Sequence, residues 1–281
     1  MSDDVRSAEA RARAEQALVW LVSGFDGAEI DLIVLGGLVP EILTRGVEPG
    51  SSMGHLGTTD VDLLLITRVD QDEDLGAVEA SLTKLDFEPE ENGWRWRGTV
   101  ADRRVKIEFL CDLETVREQE LVEPVGCKNL RALNLRGTGY VAKDWQYEEL
   151  HAPGPDGEPL TVKVRFAGLR GYLLSKLVAA RTRGKDKDYY DLAYVLIHNR
   201  EGGPRQAAEL LLAGEFRAAV VDLRATLEEI AARFRSPTDF AAQSYSEQMR
   251  LVDPELDDAT LRTDATVAIA EFLEILLTGA E

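Results

Sequence analysis

Two aspartates separated by one residue, Asp60 and Asp62, are the first candidates for chemistry in this sequence. They lie in the run TTDVDLLLIT, which predicts a β-strand, so both side chains should point to the same face. Two carboxylates on one face of a buried strand repel each other unless a cation lies between them. Mg²⁺ binds carboxylate oxygens together with water and phosphate oxygens, so the pair is consistent with phosphoryl transfer. A strand end that faces water explains the same pair without any function.

A third carboxylate, Glu108, lies in RRVKIEFL, the second strand of a predicted hairpin that begins with GWRWRGT. Strand alternation directs Glu108 away from the apolar face of its strand. If this strand neighbours that of Asp60 and Asp62, three carboxylates come together, and such a site holds two Mg²⁺ ions. Asp112, at the end of the strand, is a competing third ligand. The plain alternative for Glu108 is an ordinary exposed glutamate.

A glycine pair, Gly36-Gly37, follows the apolar run EIDLIVL and precedes a predicted helix from Leu38 to about Thr44. Backbone N–H groups at such a turn suit phosphate oxygens. The order of strand, glycine pair, helix, loop (46–57) and Asp-x-Asp strand is more specific than any of its parts. A tight turn is the alternative explanation of the glycines.

The segment SKLVAARTRGKDKDYYDL predicts helical structure with charged side chains. Lys176 and Arg183 share one helix face, and both could bind phosphates. Asp188 and Asp191 also share a face and could pair with either cation. A salt-bridge network between helices explains the aspartates equally well, whereas a functional role is favoured for Lys176.

The elements that position these residues predict a mixed α/β protein: a mixed sheet flanked by helices, followed by a C-terminal helical lobe. We expect a catalytic core over 1–115 and a helical lobe over 166–281. Between them, 116–165 is a poorly defined connecting region in which LTVKVRF predicts one strand.

The formal net charge of −19 disfavours nonspecific binding to DNA, since such a surface repels polyanions. Cations concentrate between Lys163 and Lys187, which leaves room for a local anion site. Two cysteines and three histidines show no disulfide framework or ligand spacing. The sequence has neither a membrane-span pattern nor an apolar N-terminal signal, so we expect a cytoplasmic protein.

The motifs LIVLGGLVPEIL, TTDVDLLL, VKIEFL and SKLVAARTRGKDKDYYDL occur in that order across residues 31–192. Together they resemble the AbiEii and MenT group of bacterial toxin nucleotidyltransferases, within the DNA polymerase β-like superfamily. The resemblance implies a mixed α/β core with a helical lobe, Mg²⁺-dependent transfer of a nucleoside monophosphate, and often a partner antitoxin.

The resemblance also implies roles for individual residues. Asp60 and Asp62 would bind metal, and Thr58 matches the small hydroxyl residue before them. Nucleotide binding would involve a wider set: Gly36, Gly37, Thr58, Lys176, Arg183, Asp188 and Asp191. Members of the group commonly have an arginine where this chain has Leu56, with His55 adjacent. That departure bears on NTP affinity or substrate identity.

The sequence therefore predicts an enzyme that transfers NMP from an NTP to a hydroxyl of RNA, protein or a small molecule, with two Mg²⁺ ions. Asp60, Asp62, Glu108 and Lys176 would carry the catalysis. A catalytically silent scaffold that binds nucleotide or a partner protein is the alternative. Glycosyltransferases also use Asp-x-Asp, but they do not explain Gly36-Gly37. Dehalogenase-type phosphatases need Thr or Val where Leu64 stands.

Overall fold

The computed structural model describes residues 6–25, 30–44, 54–66 and 75–279. These residues form two compact units. The first contains the described residues of Met1–Val39 and Gly57–Ala167, and the second those of Pro40–Leu56 and Gly168–Glu281. Each unit has its own buried core. The protein is a mixed α/β fold, as the sequence predicts, with a mixed open sheet flanked by helices and a series of C-terminal helices.

The first unit combines helices with a sheet. In chain order its elements are α1 (Ala8–Ser23), β1 (Leu32–Leu35), a 3₁₀ turn (Gly36–Leu38), the start of α2 (Val39–Thr44, which continues into the second unit), β2 (Asp60–Leu65), α3 (Gly76–Lys84), β3 (Glu88–Pro89), β4 (Arg95–Val100), β5 (Arg103–Cys111), β6 (Leu121–Val122), β7 (Ala132–Asn134), a 3₁₀ helix (Thr138–Lys143), β8 (Trp145–Pro153) and β9 (Pro159–Ala167).

The described strands of this unit join in one sheet with the order β3-β4-β5-β2-β1-β9-β8, to which β7 adds beside β5 and β6 beside β7. The central strand β2 runs antiparallel to β1 and parallel to β5. Helix α1 packs on the sheet through small and apolar side chains, among them Ala14, Ala17 and Leu18. The Ser7 hydroxyl accepts a hydrogen bond from the Ala10 N–H (3.1 Å) and caps this helix.

The second unit is helical in its described residues. After the rest of α2, its helices are α4 (Leu169–Arg183), α5 (Asp186–His198), α6 (Pro204–Leu212), α7 (Phe216–Asp222), α8 (Arg224–Arg233), α9 (Phe240–Val252) and α10 (Asp258–Gly279). Helix α5 is the most enclosed of these, because each residue from Asp188 to Leu196 is buried. In the part of the chain that the structure describes, every helix is too short or too polar to span a membrane.

The structure differs from the predicted domain boundaries in two regions. The described residues of Pro40–Leu56, expected in the catalytic core, belong to the second unit. Residues 116–165, expected as a connecting region with one strand, supply β6, β7, β8 and most of β9 to the sheet of the first unit. Alternation along β8 is masked in the sequence, because its exposed face carries Trp145 and Tyr147 and its other face carries Gln146 and Glu148, so only β9 has a readable pattern. The 46–57 loop expected from the sequence lies largely outside the described residues, as does Glu29 at the start of the first predicted strand.

Candidate functional site

Strand β2 directs Asp60 and Asp62 to one face of the sheet and Val61 and Leu63 to the other. Val61 and Leu63 are completely buried. Burial of each such side chain stabilises the fold by about 1.5 to 3 kcal/mol, so a slip of one residue, which would exchange the faces, is strongly disfavoured. The apolar core thus determines where the two carboxylates point.

Glu108 lies on β5 directly opposite Asp62, and Lys106 lies opposite Asp60. Neighbouring strands are about 4.8 Å apart, and residues directly opposite each other share a face. The expected juxtaposition of the three carboxylates across adjacent strands is therefore present. We call Asp60, Asp62 and Glu108 the acid site.

Burial and like charge raise the pKa of Glu108 to about 7, from 4.5 for an ordinary glutamate. Burial is the largest cause, and the carboxylates of Asp62 and Asp60 add to it. Arg95 acts in the opposite direction, because its Nε donates a hydrogen bond to Glu108 Oε1 (2.7 Å). The net rise in pKa means that burial and the neighbouring carboxylates outweigh the contact with Arg95.

The two aspartates differ in their surroundings. The carboxylate of Asp60 accepts a hydrogen bond from the Thr59 hydroxyl (3.2 Å), and Lys106 Nζ lies 3.9 Å from its Oδ1. Among the residues that the structure describes, the Asp62 carboxylate accepts no hydrogen bond and forms no ion pair. Within these ranges Asp62 therefore lacks the compensating contacts that Asp60 and Glu108 have.

The glycine pair lies against the carboxylate strand. Gly36 has a φ of +72°, and a Cβ at this position would clash with the Asp62 carboxylate. A Cβ on Gly37 would lie 2.6 Å from Cβ of Thr58. Only glycines allow the turn after β1 to approach the acid site so closely. Thr58, which is buried, stabilises the start of β2 by accepting a hydrogen bond from the Asp60 N–H (3.2 Å).

Asp112, the competing third ligand, is engaged elsewhere. Its Oδ2 accepts hydrogen bonds from the backbone N–H groups of Gly137 (2.8 Å) and Gly139 (3.0 Å), and Arg136 donates to its Oδ1 (3.2 Å). These contacts make Asp112 an anchor for the chain that follows β7. Glu108, directly opposite Asp62, is the third carboxylate of the site.

The acid site presents carboxylate oxygens, the donor type that Mg²⁺ prefers in proteins. Three carboxylates on two adjacent strands supply hard oxygen ligands, and among the described residues two cations, Arg95 and Lys106, lie within 4 Å of them. Within the described ranges, no three His, Cys, Asp or Glu side chains are already gathered as closely as a bound metal ion requires. In the structure, Arg95 contacts Glu108 and Lys106 approaches Asp60.

The second unit contains a separate group of charged residues, which we call the lysine cluster. Lys176 on α4 lies between two aspartates of α5, with its Nζ 2.7 Å from Asp191 Oδ2 and 3.7 Å from Asp188 Oδ1. Arg183 donates to Asp188 Oδ1 (2.6 Å). Lys176 and both aspartates are buried. The pairing of Asp188 and Asp191 with Lys176 and Arg183 is therefore present. These contacts form the salt-bridge network that is the structural alternative to a substrate role.

His55 completes the lysine cluster. Its Nε2 lies 3.0 Å from Asp191 Oδ1, and its ring stacks on that of Tyr190, with 4.9 Å between ring centroids. The adjacent N–H of Leu56 donates to the Tyr190 hydroxyl (2.8 Å). One oxygen of Asp191 thus faces histidine and the other faces lysine. Leu56, which stands where members of the resembled group commonly have an arginine, binds this segment to α5 through its backbone N–H.

Sequence reasoning missed Arg95 and His55. The predicted hairpin is the sequence signal for Arg95, because a two-residue turn at Ala101 and Asp102, as the structure has it, pairs Arg95 with Glu108. For His55 the sequence has no local signal, since its partner Asp191 lies 136 residues further along the chain. Comparisons with protein-family models, curated proteins and solved structures gave no match.

Proposed function

We propose that the protein is a Mg²⁺-dependent nucleotidyltransferase whose metal ligands are Asp60, Asp62 and Glu108. The observation that carries the proposal is the placement of Glu108 directly opposite Asp62 on a parallel neighbouring strand, with Asp60 on the same face. The close approach of Gly36 to the Asp62 carboxylate supports it, since it brings the backbone of the turn after β1 against the acid site. The resemblance to AbiEii and MenT nucleotidyltransferases points to the same reaction.

In the proposed reaction, a hydroxyl oxygen of the acceptor attacks the α-phosphorus of an NTP and loses its proton to water. The bond between the α-phosphorus and the oxygen that bridges to the β-phosphate breaks, and pyrophosphate leaves. Bound Mg²⁺ would neutralise the phosphates and increase the acidity of the attacking hydroxyl. Asp60, Asp62 and Glu108 hold the cations on the rigid face of a sheet, where positioning and charge neutralisation supply most of the acceleration.

The resemblance further assigns nucleotide binding to residues of the second unit, namely Lys176, Arg183, Asp188 and Asp191. It also suggests a partner antitoxin. The acceptor on this proposal is a hydroxyl of RNA, protein or a small molecule. The net charge of −19 favours an acceptor that is not a long polyanion, or an RNA that binds through a local group of cations.

The test is label transfer from each of the four α-³²P-labelled NTPs, with Mg²⁺ and total tRNA, and with the protein itself as a possible acceptor. Asp60→Asn and Asp62→Asn keep the shape of the side chains and remove the charge that holds the metal. We expect each to lower the rate of label transfer and pyrophosphate release about 10³-fold or more. Glu149→Gln is the matched control, an acid-to-amide change on the exposed face of β8 in the same unit. Equal pyrophosphate release by the Asp variants and the unmutated protein would contradict the catalytic assignment.

A binding scaffold without turnover is the second candidate. The contacts of Arg95 and Lys106 with the acids favour it, because they show that the site is partly satisfied without metal. Titration calorimetry with a non-hydrolysable NTP separates the two functions. A scaffold would bind the analogue in a Mg²⁺-dependent way and yet release no pyrophosphate from any NTP, whatever acceptor is added.

A further inference from the structure

Arg95 is held on two sides. On one side its Nε donates to Glu108 Oε1 (2.7 Å), its directly opposite residue on β5. On the other, its guanidinium lies over the indole ring of Trp94, 3.9 Å from the ring centroid. Stacking restricts the plane of the guanidinium and lowers the entropy that an exposed ion pair must lose. Its contact with Glu108 is therefore more defined than most surface salt bridges.

The register extends this contact into a row across three strands. Arg95, Glu108 and Asp62 occupy neighbouring positions on β4, β5 and β2. Glu108 thus lies between a cation on one side and an anion on the other. In the next row of the same face, Arg97, Lys106 and Asp60 are aligned in the same way, and Lys106 Nζ lies 3.9 Å from Asp60 Oδ1.

A guanidinium and a divalent cation that bind the same carboxylate each weaken the binding of the other. Glu108 has two partners available to it: Arg95, which is present in the chain, and the metal ion that the proposed function requires. A bound metal ion brings positive charge next to Arg95, and the two cations repel each other. Phosphate oxygen is the anion that best matches the geometry of a guanidinium that has lost its carboxylate.

We propose that Arg95 is a positioning residue that links metal binding to phosphate binding: it holds Glu108 while the site lacks metal, and it binds a phosphate oxygen once a divalent cation takes Glu108. This inference rests on the proposed function for the metal site. On this inference, Arg95 weakens the binding of the metal ion and strengthens the binding of a polyphosphate. Metal and polyphosphate then bind cooperatively, and release of the one favours release of the other.

The test uses Mn²⁺ as the metal probe and tripolyphosphate as the anion probe, with both affinities measured by calorimetry on the full-length protein. In Arg95→Met we expect Mn²⁺ to bind about fivefold or more tightly, because its competitor is gone. Tripolyphosphate should bind the Mn²⁺-loaded variant about tenfold more weakly, because a charged ligand is gone. A residue that merely stabilises the fold would not change the two affinities in opposite directions.

Arg97→Met is the matched control. Arg97 lies two residues away on the same strand and face, its side chain is 40% exposed against 41% for Arg95, and its ion-pair partner is Glu90, outside the acid site. We expect both affinities of this variant to stay within twofold of the unmutated protein. Arg95→Gln serves as a second neutral variant if the methionine variant fails to fold, since its amide can still donate to Glu108.

The outcomes separate this inference from the proposed function. Unmutated protein that binds no Mn²⁺ overturns both. Unmutated protein that binds Mn²⁺, with Arg95→Met or Arg95→Gln binding it equally or more weakly, overturns the role of Arg95 and leaves the metal site standing. Changes of the same size in Arg97→Met also overturn it, because they would reflect the general charge of the strand.

Discussion

The acid site of the first unit and the lysine cluster of the second solve the same problem, buried charge, in different ways. In the lysine cluster, Lys176 lies between Asp188 and Asp191, and all three side chains are at most 8% exposed. In the acid site, Glu108 is 15% exposed and its pKa is raised to about 7, mainly by burial and then by Asp62. The charges of the lysine cluster are nearly balanced, whereas in the acid site the described residues leave an excess of negative charge.

This difference separates charges that are paired within the chain from charges that the proposed function pairs with a bound metal ion. Removing an ion from water costs several kcal/mol, which close partners must offset. Arg183 and His55 supply further partners in the lysine cluster, where Asp188 Oδ2 is the one buried carboxylate oxygen left without a hydrogen bond among the described residues. In the acid site, a bound divalent cation would supply the missing charge. The comparison therefore predicts opposite effects on stability when charges are removed from the two sites.

Lys176→Met should give the largest change in stability. It leaves Asp188 and Asp191 buried without their ammonium partner, so we expect the free energy of unfolding to fall by about 3 to 5 kcal/mol. Urea unfolding followed by circular dichroism measures it. The control is Lys185→Met, since Lys185 is exposed at the start of α5. A loss below about 1 kcal/mol for Lys176→Met would show that the cluster contributes little to the fold.

Glu108→Gln should have the opposite sign. A carboxyl whose pKa is raised by folding destabilises the folded state as pH rises from about 4.5, and the full cost is present above about 7. In EDTA at pH 8 we therefore expect the amide to raise the free energy of unfolding by about 1 to 2 kcal/mol, with little effect at pH 4.

The matched control is Glu90→Gln, in the same unit, whose carboxylate pairs with Arg97 outside the acid site. This variant should be no more stable than the unmutated protein at pH 8. Equal gains for both amides would mean that the effect reflects the net charge of −19 and that the acid site has no charge excess of its own.

The sequence predicts the parts of the acid site that depend on local rules. Alternation along β2 and β5 determines which way Asp60, Asp62 and Glu108 point, because a strand repeats every two residues. The pairing of β2 with β5 is not local, since a helix and two strands intervene. Only the resemblance to a known family and the need to compensate the aspartates supported it. The structure provides the register that neither could give.

The lysine cluster shows more clearly which contacts the sequence cannot predict. Lys176, Asp188 and Asp191 are predictable as partners because the two aspartates share one face of their helix and the helix of Lys176 directly precedes it in the chain. His55 is not, because a short segment between elements has no periodicity that would indicate its partner. The strand β8 was missed for a related reason: its outward residues are charged or aromatic, and its partner strand is recognisable only in the structure.

His198, a titratable group of the second unit, makes the stability of that unit depend on pH. Burial lowers the pKa of His198 on α5 to about 4, with the Tyr245 hydroxyl 3.4 Å from its Nε2 and the ring of Tyr194 stacked at a tilt. A histidine whose pKa is lowered by folding stabilises the folded state above about 6.5, and that stability is lost as pH falls towards 4. The second unit should thus weaken on acidification over the range in which the cost of charged Glu108 declines in the first.

The dependence of the free energy of unfolding on pH that comes from His198 can be measured in the Glu108→Gln background, where the opposing contribution of Glu108 is absent. There, His198→Phe keeps an aromatic ring against Tyr194 and removes the titration. Because His198 is only half-buried, we expect the background protein to lose about 1 kcal/mol of stability between pH 7 and 5 beyond what the Phe variant loses. Replacing the exposed His151 by Phe instead should leave the slope unchanged. If all three proteins weaken in parallel, the pH dependence comes from the many surface carboxylates, and His198 has no special part in it.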